Sequence, residues 1–189
     1  MTTIVVVRKG DRAAIAADSL TTFGTTRLAP YYDRSPHKII VYRDSFIGVA
    51  GSAAHQLVLE NLLARNPDLA FHGKDAIYET FRKLHPLLKD EAFLNPKEEE
   101  DDPYESSQMT LMIANPAGIF AVYSMREVFE FDRYWAIGSG RDFALGAMFV
   151  AYARAADPAK VARIGIEAGA EYDTCTSLPM SLHTVTLAG

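Results

Sequence analysis

Hydrophobic positions first gather into two short runs, Ile4 to Val7 and Ala13 to Ala17, separated by Arg8-Lys9-Gly10-Asp11-Arg12. The Gly-Asp pair is a hairpin signal, so two antiparallel strands are expected to start the fold. From Leu20 to Pro36 the chain is rich in threonine and punctuated by Gly24, Pro30 and Pro36, which reads as a broken strand pair and a loop. Ile39 to Tyr42 and Phe46 to Ala50 make a second hairpin around Arg43-Asp44, and Gly51-Ser52 punctuates the step into a helix. Across Ala53 to Asn66, Leu57, Leu59, Leu62 and Leu63 form a helical apolar pattern. A second helix over about Lys74 to Lys89 carries Ile77, Phe81, Leu84 and Leu88 at spacings of four, three and four, with Pro86 expected to kink or shorten it.

The second half repeats the order. Met109 to Ala114 and Ile119 to Ser124 bracket the turn Asn115-Pro116-Ala117-Gly118, and Glu127 to Phe131 and Tyr134 to Ile137 continue the β pattern. After Gly138-Ser139-Gly140 comes a helix from Phe143 to Ala155, then a last helix from Pro158 to about Ala170 with Asp157 as its N-cap. Met180 to Leu187 is the final strand. Strands, two helices, strands, two helices and a strand suit an α+β fold in which two stacked antiparallel sheets lie between helix pairs, rather than an alternating βα fold. No repeat or linker interrupts residues 1–189, which read as one domain.

Composition narrows the function classes. At 49% hydrophobic, 23% charged and a net charge of -5, the chain has the balance of an ordinary globular protein and offers no basic surface to nucleic acid. No apolar run reaches the roughly 18 residues of a membrane span, and no signal peptide is visible, so a cytoplasmic protein is expected. One cysteine, Cys175, excludes an internal disulfide framework and reads as a small buried side chain. Five histidines show no ligand spacing, so neither a metal nor a cofactor is expected. Asn95 to Gln108, with Glu98-Glu99-Glu100-Asp101-Asp102 at its centre, reads as a solvated loop, because consecutive carboxylates repel and lack the spacing of a calcium loop.

Candidate chemistry begins at Thr2. If Met1 is trimmed, Thr2 carries both a hydroxyl nucleophile and a free α-amino group whose ordinary pKa of about 7.7 to 8.0 suits a general base. Thr2-Thr3-Ile4-Val5, Ala16-Ala17-Asp18, His37-Lys38-Ile39, Val49-Ala50-Gly51-Ser52, Ala136-Ile137-Gly138-Ser139-Gly140 and Glu171-Tyr172-Asp173-Thr174-Cys175-Thr176-Ser177 together resemble the proteasome β-subunit and HslV family of N-terminal-nucleophile peptidases. Within it, the chain is most similar to short bacterial proteasome-like homologues.

That resemblance implies a four-layer αββα sandwich and a threonine-type endopeptidase. It assigns Thr2 as nucleophile, Lys38 as the cation beside it, Asp18 as the carboxylate that orients the lysine, and the Gly51 N–H as oxyanion donor. Ser139, Asp173 and Thr176 match the supporting polar cluster. Substrate is implied to lie extended between the segment at Thr22 and the edge at Gly51, with Thr21, Val49 and Ala53 lining the primary specificity pocket and favouring apolar residues. Five residues, Ala29-Pro30-Tyr31-Tyr32-Asp33, are inserted between Asp18 and Lys38, which leaves Arg27 and Arg34 as the other cations in reach.

The resemblance also implies a homo-oligomer of stacked rings, hexameric or heptameric, an unfoldase ATPase as partner, and peptides or unfolded proteins as substrates. Two other classes share the same residues: a catalytically silent ring scaffold, and an amidohydrolase acting on a small amide.

Overall fold

The computed structural model describes residues 2–188. Two antiparallel sheets lie face to face, with one helix pair on each outer side. The first sheet runs β10-β1-β2-β11, from β1 (Thr3–Lys9), β2 (Arg12–Asp18), β10 (Tyr134–Gly138) and β11 (Met180–Thr186). The second runs β5-β6-β7-β8-β9, from β5 (Ile39–Tyr42), β6 (Ser45–Ala50), β7 (Thr110–Asn115), β8 (Gly118–Val122) and β9 (Val128–Glu130). A separate ribbon pairs β3 (Thr21–Phe23) with β4 (Thr26–Leu28).

Strand alternation explains the layers. Along β1, Ile4 and Val6 point between the sheets and meet Ala114, Ile119 and Ala121. Val5 and Val7 point the other way, against Met148 of α3 (Arg141–Tyr152) and Val161 and Ile166 of α4 (Pro158–Tyr172). β1 is therefore buried on both faces, which is why its sequence is a continuous apolar run. On the opposite side, Ile47, Leu111 and Phe120 of the second sheet pack on α1 (Ala53–Arg65) and α2 (Lys74–Asp90) through Leu59, Leu63, Phe81 and Leu84. This is the αββα sandwich. Among the described residues no helix is long and apolar enough to cross a membrane.

Local chemistry sets most element ends. Asp157 caps α4 by accepting from the Ala159 N–H at 3.2 Å, and Ser52 caps α1 by accepting from Ala54. Three sequence expectations change. Pro86 does not shorten α2, which continues to Asp90. Pro86 lies on the exposed side of the helix, as does Arg82, whose carbonyl loses its partner there to water rather than to the core. Leu57 is 71% exposed although Leu59, Leu62 and Leu63 are buried, because it falls off the stripe that those three define at 100° per residue. The third helix ends at Tyr152, three residues before Ala155.

One end of the sandwich gathers the ends of five strands. The start of β1, the end of β2 and the end of β10 meet there in register, with Thr3 opposite Gly138 and Ile4 opposite Ala17. The start of β5 and the end of β6 arrive from the second sheet, carrying Lys38 and Gly51 on their flanks.

Candidate active site

Thr2 sits at that convergence, 3% exposed. Asp18, fully buried at the end of β2, accepts hydrogen bonds from the Thr2 hydroxyl and from the backbone N–H groups of Thr3 and Leu20, both at 3.0 Å. A further N–H, from Ser177, reaches it at 3.3 Å. These donors and one cation offset the cost of burying a carboxylate.

The cation is Lys38. Its ammonium donates to Thr2 Oγ1 at 2.9 Å, to Asp18 Oδ1 at 2.8 Å and to the Leu20 carbonyl at 2.6 Å. All three ammonium protons are thereby used, so the charged lysine is fully solvated by protein. Burial pushes its pKa below the ordinary 10.5, while the charge and hydrogen bond of Asp18 act in the opposite sense. Arg27 and Arg34 are both exposed, and the inserted residues form a short 3-10 turn, Pro30–Tyr32, ahead of the lysine. The insertion is absorbed before β5, and Lys38 keeps its place directly ahead of the strand.

A second polar group supports Thr2 from behind. The Ser139 N–H donates to the Thr2 carbonyl at 2.8 Å, and the Ser139 and Thr176 hydroxyls both donate to Asp173 Oδ2 at 2.6 Å. Partial burial opposes ionisation of Asp173, but these two hydroxyls and the Cys175 N–H outweigh it and hold the carboxyl below its ordinary range. Gly138 makes the approach possible. Its φ is +92°, and a Cβ there would stand 1.9 Å from the Thr2 carbonyl oxygen.

Two clefts open on Thr2. The first, about 770 Å³, contains Thr21, Thr22, Val49, Gly51 and Ala53 together with Thr2 and Lys38. The second, about 630 Å³, is lined by Thr2, Gly51 and Ser139 together with Glu98 and Gln108 of the acidic loop. Gly51 borders both, with φ at +129°. Every residue that the resemblance assigned to the site thus lies in one of three connected groups, the Thr2–Lys38–Asp18 triangle, the Ser139–Asp173–Thr176 support, or the first cleft, and Arg27 and Arg34 lie in none of them. Met1, whose removal frees the Thr2 amine, lies outside the described residues.

No protein-family model matches the chain. It is 37% identical to Thiobacillus denitrificans BPH in complex with epoxomicin, with a TM-score of 0.93 and each chain covering 100% of the other. The ATP-dependent protease subunit HslV of Caldanaerobacter subterraneus is 26% identical over 97% of this chain and 98% of its own length. HslV from Trypanosoma brucei shares the fold, at a TM-score of 0.71 and 22% identity over 98% of this chain and 99% of that one. The chain belongs to the proteasome β-subunit and HslV family.

Within the family frame, the sequence reading missed one side chain and several backbone groups. Thr3 is fully buried and its hydroxyl lies 2.6 Å from Thr176 Oγ1, joining the strand that carries Thr2 to the loop after α4. Its signal was present: Thr3 shares a face with Val5 and Val7, where an apolar residue is the norm, so a polar side chain there needs a partner. Gly140 belongs to the same contact, since a Cβ on it would stand 2.2 Å from Thr3 Oγ1. The N–H groups of Leu20 and Ser177 carry no sequence signal at all.

Proposed function

We propose that this protein is a threonine-type endopeptidase subunit whose nucleophile is Thr2, made N-terminal by removal of Met1. The observation that carries the reading is the Lys38 ammonium hydrogen-bonded at once to Thr2 Oγ1 and to buried Asp18, where two clefts meet.

In this reading the α-amino group of Thr2 takes the hydroxyl proton as Oγ attacks the scissile carbonyl carbon. Lys38 stabilises the negative charge growing on Oγ, and Asp18 holds the lysine charged and aimed. The tetrahedral oxyanion is met by the Gly51 N–H. Collapse breaks the C–N bond, the leaving amine takes the proton back from the Thr2 ammonium, and an ester joins the acyl half to Oγ. Water, deprotonated by the same amine, then hydrolyses the ester and restores the hydroxyl. The acyl half lies in the first cleft, with Thr21, Val49 and Ala53 about the residue before the scissile bond. Val49 and Ala53 supply apolar surface for that residue.

The subunit is proposed to act as one domain within a stacked ring of six or seven copies in the cytoplasm, where N-terminal methionine is removed. Exposed Phe149 and Val150 on α3 and Tyr172 on α4 are apolar surface that neighbouring copies would cover. Curated relatives are ATP-dependent protease subunits, which supports an unfoldase ATPase as partner and unfolded proteins or peptides as substrates.

The deciding experiment is intact mass spectrometry of the native protein before and after epoxomicin, the ligand of its relative, beside a Thr2→Ala control. The expected result is loss of Met1 and one adduct on wild type only, with peptide hydrolysis absent in T2A. Hydrolysis unchanged in T2A overturns the reading.

A further inference from the structure

We propose that the second cleft takes the leaving-group half of the peptide and that Glu98 gives it a preference for cationic residues there. This rests on Thr2 being the nucleophile. A peptide attacked at its middle has chain on both sides of the scissile bond, and the two clefts that border Thr2 provide one path for each half. With the acyl half beside Val49 and Ala53, the amine half runs past Ser139 toward Glu98.

The charges along the second cleft do not cancel. Arg141 and Asp142 both line it and lie 3.3 Å apart, so they largely offset each other. Glu98 also lines it, and among the described residues no lysine or arginine nitrogen lies within 4.0 Å of its carboxylate. Its hydrogen-bond donor is the hydroxyl of Ser106, at 2.5 Å, which leaves the charge uncompensated.

Glu98 is also held in place. Ser106 is fully buried, and its hydroxyl additionally accepts from the Gln108 N–H at 2.9 Å. The Gln108 side chain donates to the carbonyls of Asn95 and Lys97, at 2.6 and 3.1 Å, which ties down the residues just before Glu98. Farther along, Glu105 is gripped by Lys89 and His85 of α2. The acidic loop is therefore pinned at both ends, with Glu98 at the cleft wall. From Asn95 to Gln108 it holds six carboxylates and one lysine, a net of -5, equal to that of the entire chain. Glu98 thus opens the most acidic run of the sequence, Glu98 to Asp102, at the cleft wall.

The test uses the native assembled protein and internally quenched peptides that share one acyl half and carry Lys, Gln or Glu at the second and third positions after the scissile bond. kcat/KM is read by fluorescence and the cut site by mass spectrometry. Wild type should prefer the Lys peptide over the Glu peptide by about two- to fivefold, as for a partly exposed ion pair. The ratio should shrink toward one between about 0.05 M and about 0.5 M salt. E98Q, which keeps an oxygen acceptor for Ser106, should bring the ratio close to one, and E98K should invert it. A coumarin amide with the same acyl half, whose leaving group is an uncharged amine, reports on the Thr2 chemistry in each variant. A wild-type ratio at or below one, or a ratio unmoved in E98Q while the coumarin amide is still cleaved, overturns the role of Glu98. No cleavage of the coumarin amide and no adduct on Thr2 would overturn the proposed function and this inference with it.

Discussion

Lys38 Nζ stands 2.9 Å from Thr2 Oγ1 while its other two protons bind Asp18 and the Leu20 carbonyl, so one ammonium ties the end of β2 to the residue ahead of β1. Replacing it by methionine removes the only cation that, among the described residues, is hydrogen-bonded to the hydroxyl. K38M should lower kcat/KM by roughly 100-fold or more, the scale set by deleting one donor at a developing oxyanion. K38R should not restore it, because a planar guanidinium cannot reproduce three contacts converging on a point charge. Steady-state kinetics on a fluorogenic peptide would decide, and activity within a few fold of wild type in K38M would remove Lys38 from the chemistry.

The lowered pKa of Lys38 has two pH consequences. Its charge is lost in the folded protein at a pH below the ordinary 10.5, so the alkaline limb of the kcat/KM profile should fall earlier than an exposed lysine predicts. For stability, the unfolded chain binds the extra proton between the folded pKa and 10.5, so stability referred to K38M should rise with pH across that window. Urea midpoints of both proteins at several alkaline pH values test the sign.

Asp173 gives the same sign of slope at the acid end for the opposite reason, because there the charged form is the favoured one. Its folded pKa lies below the ordinary 3.8, so the stability it contributes is present above about pH 4 and is lost as pH falls through the folded value. D173N should therefore be less stable than wild type at pH 7, with the gap narrowing as pH falls below the ordinary 3.8. A gap independent of pH would mean that only the shape of the side chain matters there.

Gly138 should tolerate no side chain. Alanine would have to adopt φ near +92° and would overlap the Thr2 carbonyl oxygen. The loss should exceed the about 1–3 kcal/mol that such a backbone conformation costs by itself, read as a fall in thermal midpoint together with loss of activity. G140A gives a parallel case through Thr3. A G138A protein of normal stability and activity would show that Thr2 is not held where the structure has it.

Thr3→Val keeps the shape and deletes one buried hydroxyl. Thr176 retains its bond to Asp173, so the cost should be near the about 0.5–1.5 kcal/mol of one net hydrogen bond, measured by chemical unfolding. A much larger loss would mean that Thr3 organises the whole loop after α4.

The strands and helices were legible because their signals are local. Hairpin turns at Gly10-Asp11 and Arg43-Asp44, the Asp157-Pro158 start of α4 and the stripe of Ile77, Phe81, Leu84 and Leu88 each lie within a few residues of the element they define. Pro86 does not end α2, because the carbonyl that it leaves without a partner lies on the exposed side of the helix, and which side that is depends on the sheet beneath. Leu57 differs, since at 100° per residue its place off the stripe of Leu59, Leu62 and Leu63 is already legible in the sequence.

By itself, then, the sequence determined the hairpins and helical stripes, the α+β order and the residue types able to form a threonine site. Which of Lys38, Arg27 and Arg34 meets Thr2, that Thr3 joins Thr176, and that the acidic loop lines a cleft were decided by tertiary structure alone. These are contacts between positions far apart in the chain, such as Lys38 with Thr2 and Thr3 with Thr176, 36 and 173 residues apart. Their geometry depends on the register of whole strands and the stacking of two sheets. No local pattern encodes that distance, because it is set only when the hydrophobic layers close and the strand ends are brought together.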